Sequence, residues 1–265
     1  MKRFEPNVIV GLLIGIVAIG AGVLLEGIKL RFLWQPTAAL VVLGGTLGAV
    51  TVKCGLAGLG TLVRETTRLF LAEHTQNDSA VISQLAWLAR TAKREGTKVY
   101  ERFASGSDDR LITTGLSLAA EFADPQLVRR SLDVVLEDED RHGRTHATLL
   151  ESAGGYAPTF GILGAVLGLI HVLRSLDDPS KLGLGIATAF VATIYGVGIA
   201  NLLFFPLAAK LRERHESTMR RREMLADALV AVSAQKSPGE IKRSFHSQQE
   251  TLATGTTVRD LYQVQ

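Results

Sequence analysis

Four apolar runs, residues 8–25, 33–52, 156–173 and 183–208, contain no Asp, Glu, Lys or Arg. Each is close to the ~20 apolar residues that cross a hydrocarbon layer ~30 Å thick. Charged residues still make up 21% of the chain, so charge is segregated from these runs rather than scarce. A segment in lipid must satisfy its own backbone hydrogen bonds, which leaves helices for runs of this length. The expected fold class is therefore all-α, an integral membrane protein with four transmembrane helices. The first run follows Lys2 and Arg3, as in a signal peptide. Its length, the lack of a small-residue cleavage site and the close second run mark it as a span instead.

Lys and Arg near the span ends give the orientation, because cytoplasmic flanks collect positive charge. Eleven of them fall on one side: Lys2, Arg3, Lys53, Arg64, Arg68, Lys210, Arg212, Arg214, Arg220, Arg221 and Arg222. Only four, Lys29, Arg31, Arg174 and Lys181, fall on the other. Both termini and the long segment between spans two and three are expected in the cytoplasm. These flanks explain the net charge of +3, and the interleaved aromatics of a nucleic-acid surface are not seen. The single Cys54 excludes an intramolecular disulfide.

Four parts follow along the chain. Residues 1–52 hold spans one and two, 53–154 form a large helical cytoplasmic insert, 155–209 hold spans three and four, and 210–265 form a cytoplasmic helix and tail. The insert is too poor in long apolar runs to read as an independent domain. Its best-marked helix begins at Asp124-Pro125, an N-cap residue followed by proline at the first helical position. Leu127, Val128, Leu132, Val135 and Leu136 then recur at helical spacing. This helix is expected to run into span three with a break near Gly154-Gly155. Span four is expected to run on with Met224, Leu225, Ala228, Leu229 and Val232 as its stripe, so the two extensions can pack together. The pattern stops near Ser237-Pro238-Gly239, and residues 246–257, rich in Ser, Thr and Gln, read as weakly ordered.

His142 and His146 share a helix face at i, i+4, but no third ligand accompanies them, so they read as surface residues with no metal or other cofactor. The acidic run Glu137-Asp138-Glu139-Asp140 and the basic run Arg220-Arg221-Arg222 read as solvated or mutually paired surfaces. His171 is an interfacial residue near a possible water path. Gly161, Gly164 and Gly168 recur at three- and four-residue spacing, with Gly11, Gly15, Gly44, Gly45, Gly48, Gly196 and Gly198 in the other spans. Small residues let helices approach closely in lipid, where packing drives association. The spans offer only hydroxyls, among them Thr37, Thr46, Thr51, Thr159, Thr188, Thr193 and Tyr195. An ion-coupled machine normally places an ionisable group at membrane depth. Either these spans carry no ion or a partner supplies the acid. No nucleophile and base pair up, so an enzyme is not expected.

Three stretches resemble a known family. LLEGIKLRFLWQPTAALVVLGGTLGAV carries LEG, a following Pro and GGTLGA. ADPQLVRRSLDVVLEDEDRHGRTHATLLESAGGYAPTFGILGAVLGLI carries DP, RH and a GYAP-GI-G-GLI block. GIATAFVATIYGVGIANLLFFPLAAKL is similar to the family's fourth span. In order, over most of residues 7–235, they resemble the flagellar motor stator subunits of the MotA/TolQ/ExbB proton channel family. The resemblance implies a homo-oligomer, a pentamer, in the bacterial inner membrane, around MotB-type single-span partners anchored to peptidoglycan that bring the ion-carrying Asp. It maps Pro158, Pro206 and Thr193 onto the ion path, and Ala165, where sodium-driven relatives tend to carry Thr, favours protons. With Gly96 as register mark it maps Lys93 and Glu101 onto contacts with the rotor protein FliG, with Arg94 a second basic candidate. A TolQ/ExbB-like energy transducer is the alternative within the family, although such chains usually have three spans with the insert after the first. A non-conducting membrane scaffold is the alternative outside it.

Overall fold

The computed structural model describes residues 6–27, 30–70, 78–122, 124–174, 177 and 179–253. Lys2, Arg3 and Lys29 of the charge count, and the tail beyond Ala253, lie outside the described residues. Within them the regular structure is helical: α1 (Pro6–Leu25), α2 (Pro36–Arg68), α3 (Asp78–Glu95), α4 (Lys98–Ala104), α5 (Arg110–Glu121), α6 (Pro125–Leu173), α7 (Pro179–Ile199), α8 (Phe205–Ser233) and α9 (Pro238–Ala253). A π-turn, Ala200–Phe204, joins α7 to α8, and another, Leu40–Gly44, lies inside α2. Four helical stretches are long and apolar enough to cross a membrane: Val8–Leu25, Pro36–Arg68, Pro125–Leu173 and Gly185–Ser233. They cover all but a few residues of the four apolar runs.

The chain divides into two compact units, one of Met1–Glu73 with Gly143–Arg214 and one of His74–His142 with His215–Gln265. In the first, the membrane unit, Leu62 of α2, Leu69 just past its end, Leu149, Leu150 and Ala153 of α6 and Leu207 and Ala208 of α8 form one buried cluster. A second cluster joins Ala38 and Val42 of α2 to Val191 and Ala192 of α7. Most of α1 faces outward, as does much of the apolar surface of α6 from Ile162 to Leu173. Such a surface is stable only where lipid or protein covers it.

The expected break near Gly154-Gly155 is absent, and α6 runs unbroken for 49 residues with Pro158 inside it. A side chain added at Gly154 would place its Cβ 2.7 Å from the Phe205 ring, so glycine here makes room for packing. Neighbouring helices hold a proline-containing turn in place within a membrane bundle. The discontinuity lies in α2 instead, at Gly55, whose φ of 70° and ψ of 170° belong to a region only glycine adopts readily.

In the second, hydrophilic unit the predicted stripes meet. Val128, Leu132, Val135 and Leu136 of α6 and Met224, Ala228, Leu229 and Val232 of α8 enter one core with Leu85 and Leu88 of α3 and Leu111 and Leu116 of α5. The insert therefore builds its core jointly with the C-terminal segment. Asp124 caps α6 as expected, accepting from the Gln126 amide at 2.9 Å. The tail departs from expectation as far as Ala253, because α9 starts where the pattern was read as stopping. Glu240 Oε2 accepts from the Ser237 amide at 2.8 Å and Ser237 Oγ accepts from the Glu240 amide at 3.3 Å, a reciprocal capping box with Pro238 in the first turn. Ile241 and Phe245 of α9 complete the core.

Candidate ion path and rotor-facing surface

The glycines of α6 and α7 set the geometry of the spans. A Cβ on Gly161 would lie 3.0 Å from the Ala192 carbonyl oxygen and 3.3 Å from Gly196 Cα. One on Gly196 would lie 2.6 Å from the Ala157 carbonyl oxygen, and one on Gly168 would lie 2.8 Å from the Ala189 amide nitrogen. Backbone therefore packs on backbone along this seam, the close approach that small residues permit in lipid. Gly15 and Gly45 likewise abut side chains, those of Leu202 and Phe160. Gly11, Gly44, Gly48 and Gly198 have nothing within 4 Å of an added Cβ, so packing within the chain does not account for them.

Two predicted ion-path residues lie on this seam. Pro158 Cα would be 3.1 Å from a Cβ on Gly196, and Thr193 Cα would be 3.4 Å from one on Gly161. Thr193 is half-buried and its hydroxyl donates to the Ala189 carbonyl at 3.4 Å, a bond within its own helix. Ala165 is half-buried one turn beyond Gly161, and Pro206 is exposed directly after the π-turn, where its missing N–H fits an interrupted helical ladder. Neither Ala165 nor Pro206 is among the nearest neighbours of the seam glycines Gly161, Gly168 and Gly196.

A second polar group in the membrane unit was not read from the sequence as a cluster. Thr188 Oγ1 donates to Gln35 Oε1 at 3.3 Å, Tyr195 donates its hydroxyl hydrogen to the Leu33 carbonyl, and the Gln35 amide donates to Tyr195 Oη at 3.4 Å. Beside them is a pocket of about 470 Å³ lined by Gln35, Thr37, Gly164, Gly168, His171 and Thr188, among others. Gln35 carried no signal beyond its place before Pro36. The pocket gives His171 polar neighbours from α2 and α7.

In the hydrophilic unit, Lys93 and Arg94 occupy the last turn of α3 and Glu101 the first turn of α4. Between them Gly96, at φ 85°, takes the left-handed conformation that ends a helix, its amide donating to the Ala92 carbonyl at 2.9 Å. All three charged side chains are exposed. Two consecutive helices thus present basic and acidic groups across one glycine turn.

Elsewhere in the hydrophilic unit the charge runs pair. Arg222, 20% exposed, donates from Nε to Glu139 Oε2 at 2.8 Å and pairs through its terminal nitrogens with Glu139 and Asp109. Burial opposes its charge, but the hydrogen bonds it donates to those carboxylates prevail and hold the guanidinium above its ordinary value. The other oxygen of Asp109 caps α5, accepting from the Leu111 amide at 2.9 Å. Arg222 of α8 is thereby tied to both α5 and α6. His215 Nε2 meets Asp140 Oδ1 at 2.9 Å, and Arg129 pairs with Asp227 and Asp133. Arg110 donates to Asp138 at 2.7 Å, and that bond first of all holds the Asp138 carboxyl below its ordinary value. His142 Nδ1 donates to the Asp138 carbonyl at 2.7 Å, and among the described residues no cluster of three metal-ligating groups occurs.

Comparison with known proteins agrees with this anatomy. The sequence pattern of the MotA/TolQ/ExbB proton channel family matches residues 104–224. Motility protein A of Bacillus subtilis (strain 168) is 31% identical over 250 residues, 91% of this chain and 89% of that protein. Motility protein A of Treponema pallidum (strain Nichols) is 30% identical, covering 86% of this chain and 88% of that one. The structure of the flagellar MotAB stator complex from Bacillus subtilis superposes with a TM-score of 0.75 at 27% identity, covering 97% of this chain and 98% of that one. With its four spans, glycine seam and paired helical extensions, this chain belongs to the MotA/TolQ/ExbB proton channel family, among its motility protein A members.

Proposed function

We propose that this flagellar stator subunit assembles as one copy of a homopentameric ring in the bacterial inner membrane, around the single spans of MotB-type partners anchored to peptidoglycan. Both termini and the hydrophilic unit face the cytoplasm. The observation that carries this reading is the charge-free seam of α6 and α7, with Pro158 and Thr193 on it and no Asp, Glu, Lys or Arg in the four apolar runs. A path of this kind needs its carboxylate from another chain. Ala165 and Pro206 complete the proposed partner-facing set, where small side chains leave room for water beside an acid. A methyl group at position 165 offers no oxygen to a sodium ion, which supports coupling to protons.

Torque is passed to the rotor protein FliG through Lys93, Arg94 and Glu101. Exposed charge pairs are worth only about 0–1 kcal/mol each, which suits a contact that forms and releases with every step of the rotor. Complementary charge steers encounter and selects partners more than it adds affinity.

The test is rotation of tethered cells that carry this chain with a MotB-type partner and no other stator. Lys93→Glu combined with Arg94→Glu, or Glu101→Lys, is expected to abolish or sharply reduce rotation while proton conductance and membrane level persist. Normal rotation in both reversals places the torque contact elsewhere. Rotation that follows external sodium at constant proton-motive force overturns the assignment of the ion.

A further inference from the structure

The polar face of α3 carries an exposed tryptophan. Trp87 is 58% exposed, although Leu85, Ala86, Leu88 and Ala89 on either side of it are buried. At 3.6 residues per turn, Arg90 and Arg94 lie within about 60° of Trp87 round the helix, while Lys93 is about 120° away. Gln84 lies about 60° to the other side of Trp87, and it lines a pocket of about 400 Å³ with Val81, Leu85, Arg102, Phe103 and Ile112 among the other walls. The ridge of α3 therefore runs from basic Arg90 through the indole to a pocket whose wall is partly apolar and which includes a further basic residue, Arg102.

Trp, Tyr and Arg are enriched among the residues that dominate the energetics of protein interfaces, and this face sets an exposed indole beside guanidinium groups. The charges on this face select its occupant. Arg90, Arg94 and Arg102 are exposed and favour an acidic surface. We propose that Trp87, with the adjoining pocket, is the apolar anchor of the rotor contact: it seats against an acidic helix of the rotor protein, which places one apolar side chain in the pocket beside Phe103. This rests on the rotor-facing role given above and extends it. Charge steers the encounter, and the indole and pocket hold the partner long enough for force to pass. Arg94, on the indole's side of α3, is then the basic partner in the docked state, and Lys93 acts from the flank.

The experiment uses the full chain with its MotB-type partner in motile cells. A photo-crosslinking amino acid at position 87 is expected to capture FliG. Trp87→Ala removes an exposed group and leaves no internal cavity, and Gln84→Trp fills the pocket from its exposed rim. Truncating an interface tryptophan of this kind weakens binding by about 30-fold, so both variants are expected to cut torque severalfold or more, with proton conductance and the number of assembled units within twofold of the parent. Capture of a second copy of this chain, or fewer assembled units in both variants, overturns the proposal by making Trp87 a contact between subunits. Normal torque in Trp87→Ala and Gln84→Trp, alongside lost rotation in the Lys93, Arg94 and Glu101 reversals, overturns the anchor and leaves the charge contact standing. Normal torque in every variant removes both.

Discussion

Gly196 and Leu229 each sit at the middle of a helix contact, Gly196 in the membrane unit and Leu229 in the hydrophilic unit. At Gly196 the contact exists because a side chain is absent, and an added Cβ would meet the Ala157 carbonyl oxygen at 2.6 Å. At Leu229 it exists because a side chain is present, wholly buried with Leu132 and Leu116. The difference follows from the solvent each unit meets. Between helices in lipid there is no water to exclude, so close packing supplies the attraction. In the hydrophilic unit each buried Leu gains about 1.5–3 kcal/mol by leaving water. One chain thus uses two packing chemistries, and α6 and α8 pass from one to the other along their length.

Gly196→Val tests the first chemistry most severely. Its side chain would meet backbone on α6, which cannot rotate away, so the chain is expected to fall to a small fraction of its normal membrane level and rotation to cease. Immunoblotting of membranes beside tethered-cell speed measures this. Gly198→Ala, with open space around it, is the matched control and is expected to leave the membrane level unchanged. If the two behave alike, the seam is not set by glycine.

Leu229→Ala tests the second. Truncating a fully buried leucine costs about 2–5 kcal/mol, so the amides of the hydrophilic core are expected to exchange hydrogen much faster, with the exchange of α7 unchanged. Arg222→Ala is expected to cost less, about 2–3 kcal/mol, mainly by leaving Asp109 and Glu139 partly buried without their cation. Arg222→Lys restores charge but not the two-pronged geometry and should fall between. Loss of protection at the start of α5 is the specific sign, because Asp109 serves both Arg222 and that helix cap.

The smallest effect belongs to Arg110→Ala. The Asp138 carboxyl is held below 3.8 in the folded chain, so its pairing stabilises the fold above that pH and is lost as the pH falls through the folded value. A slight destabilisation is expected at neutral pH and should vanish in acid. A difference that persists when the Asp138 carboxyl is protonated means Arg110 acts through packing instead.

Much of this was readable in advance for physical reasons. Charge-free runs of about 20 residues have few folding options in water or lipid, and the stripes of α6 and α8 announced their buried faces by spacing alone. The Asp124-Pro125 cap is a local signal and was legible as such. Other features depend on distant contacts. Gly154 reads as a helix breaker until Phe205 is seen beside it, and α9 was missed because Ser237-Pro238-Gly239 looks like a stop unless Glu240 is taken as the partner of Ser237 in a capping box. The pairing of the two charge runs was one of two open readings, and no spacing rule pointed to Arg110 or Asp109, which lie 28 and 113 residues from their partners. Trp87 carried no signal in the sequence, because exposure is a property of the folded face.

The central claim is that this chain forms the wall of a proton path and lacks its carrier. Proton flux into sealed vesicles under an imposed potential tests it directly, with this chain alone, with a MotB-type partner, and with a partner whose intramembrane Asp is changed to Asn. The account predicts flux only for the pair with the Asp intact. Equal flux from this chain alone would contradict it.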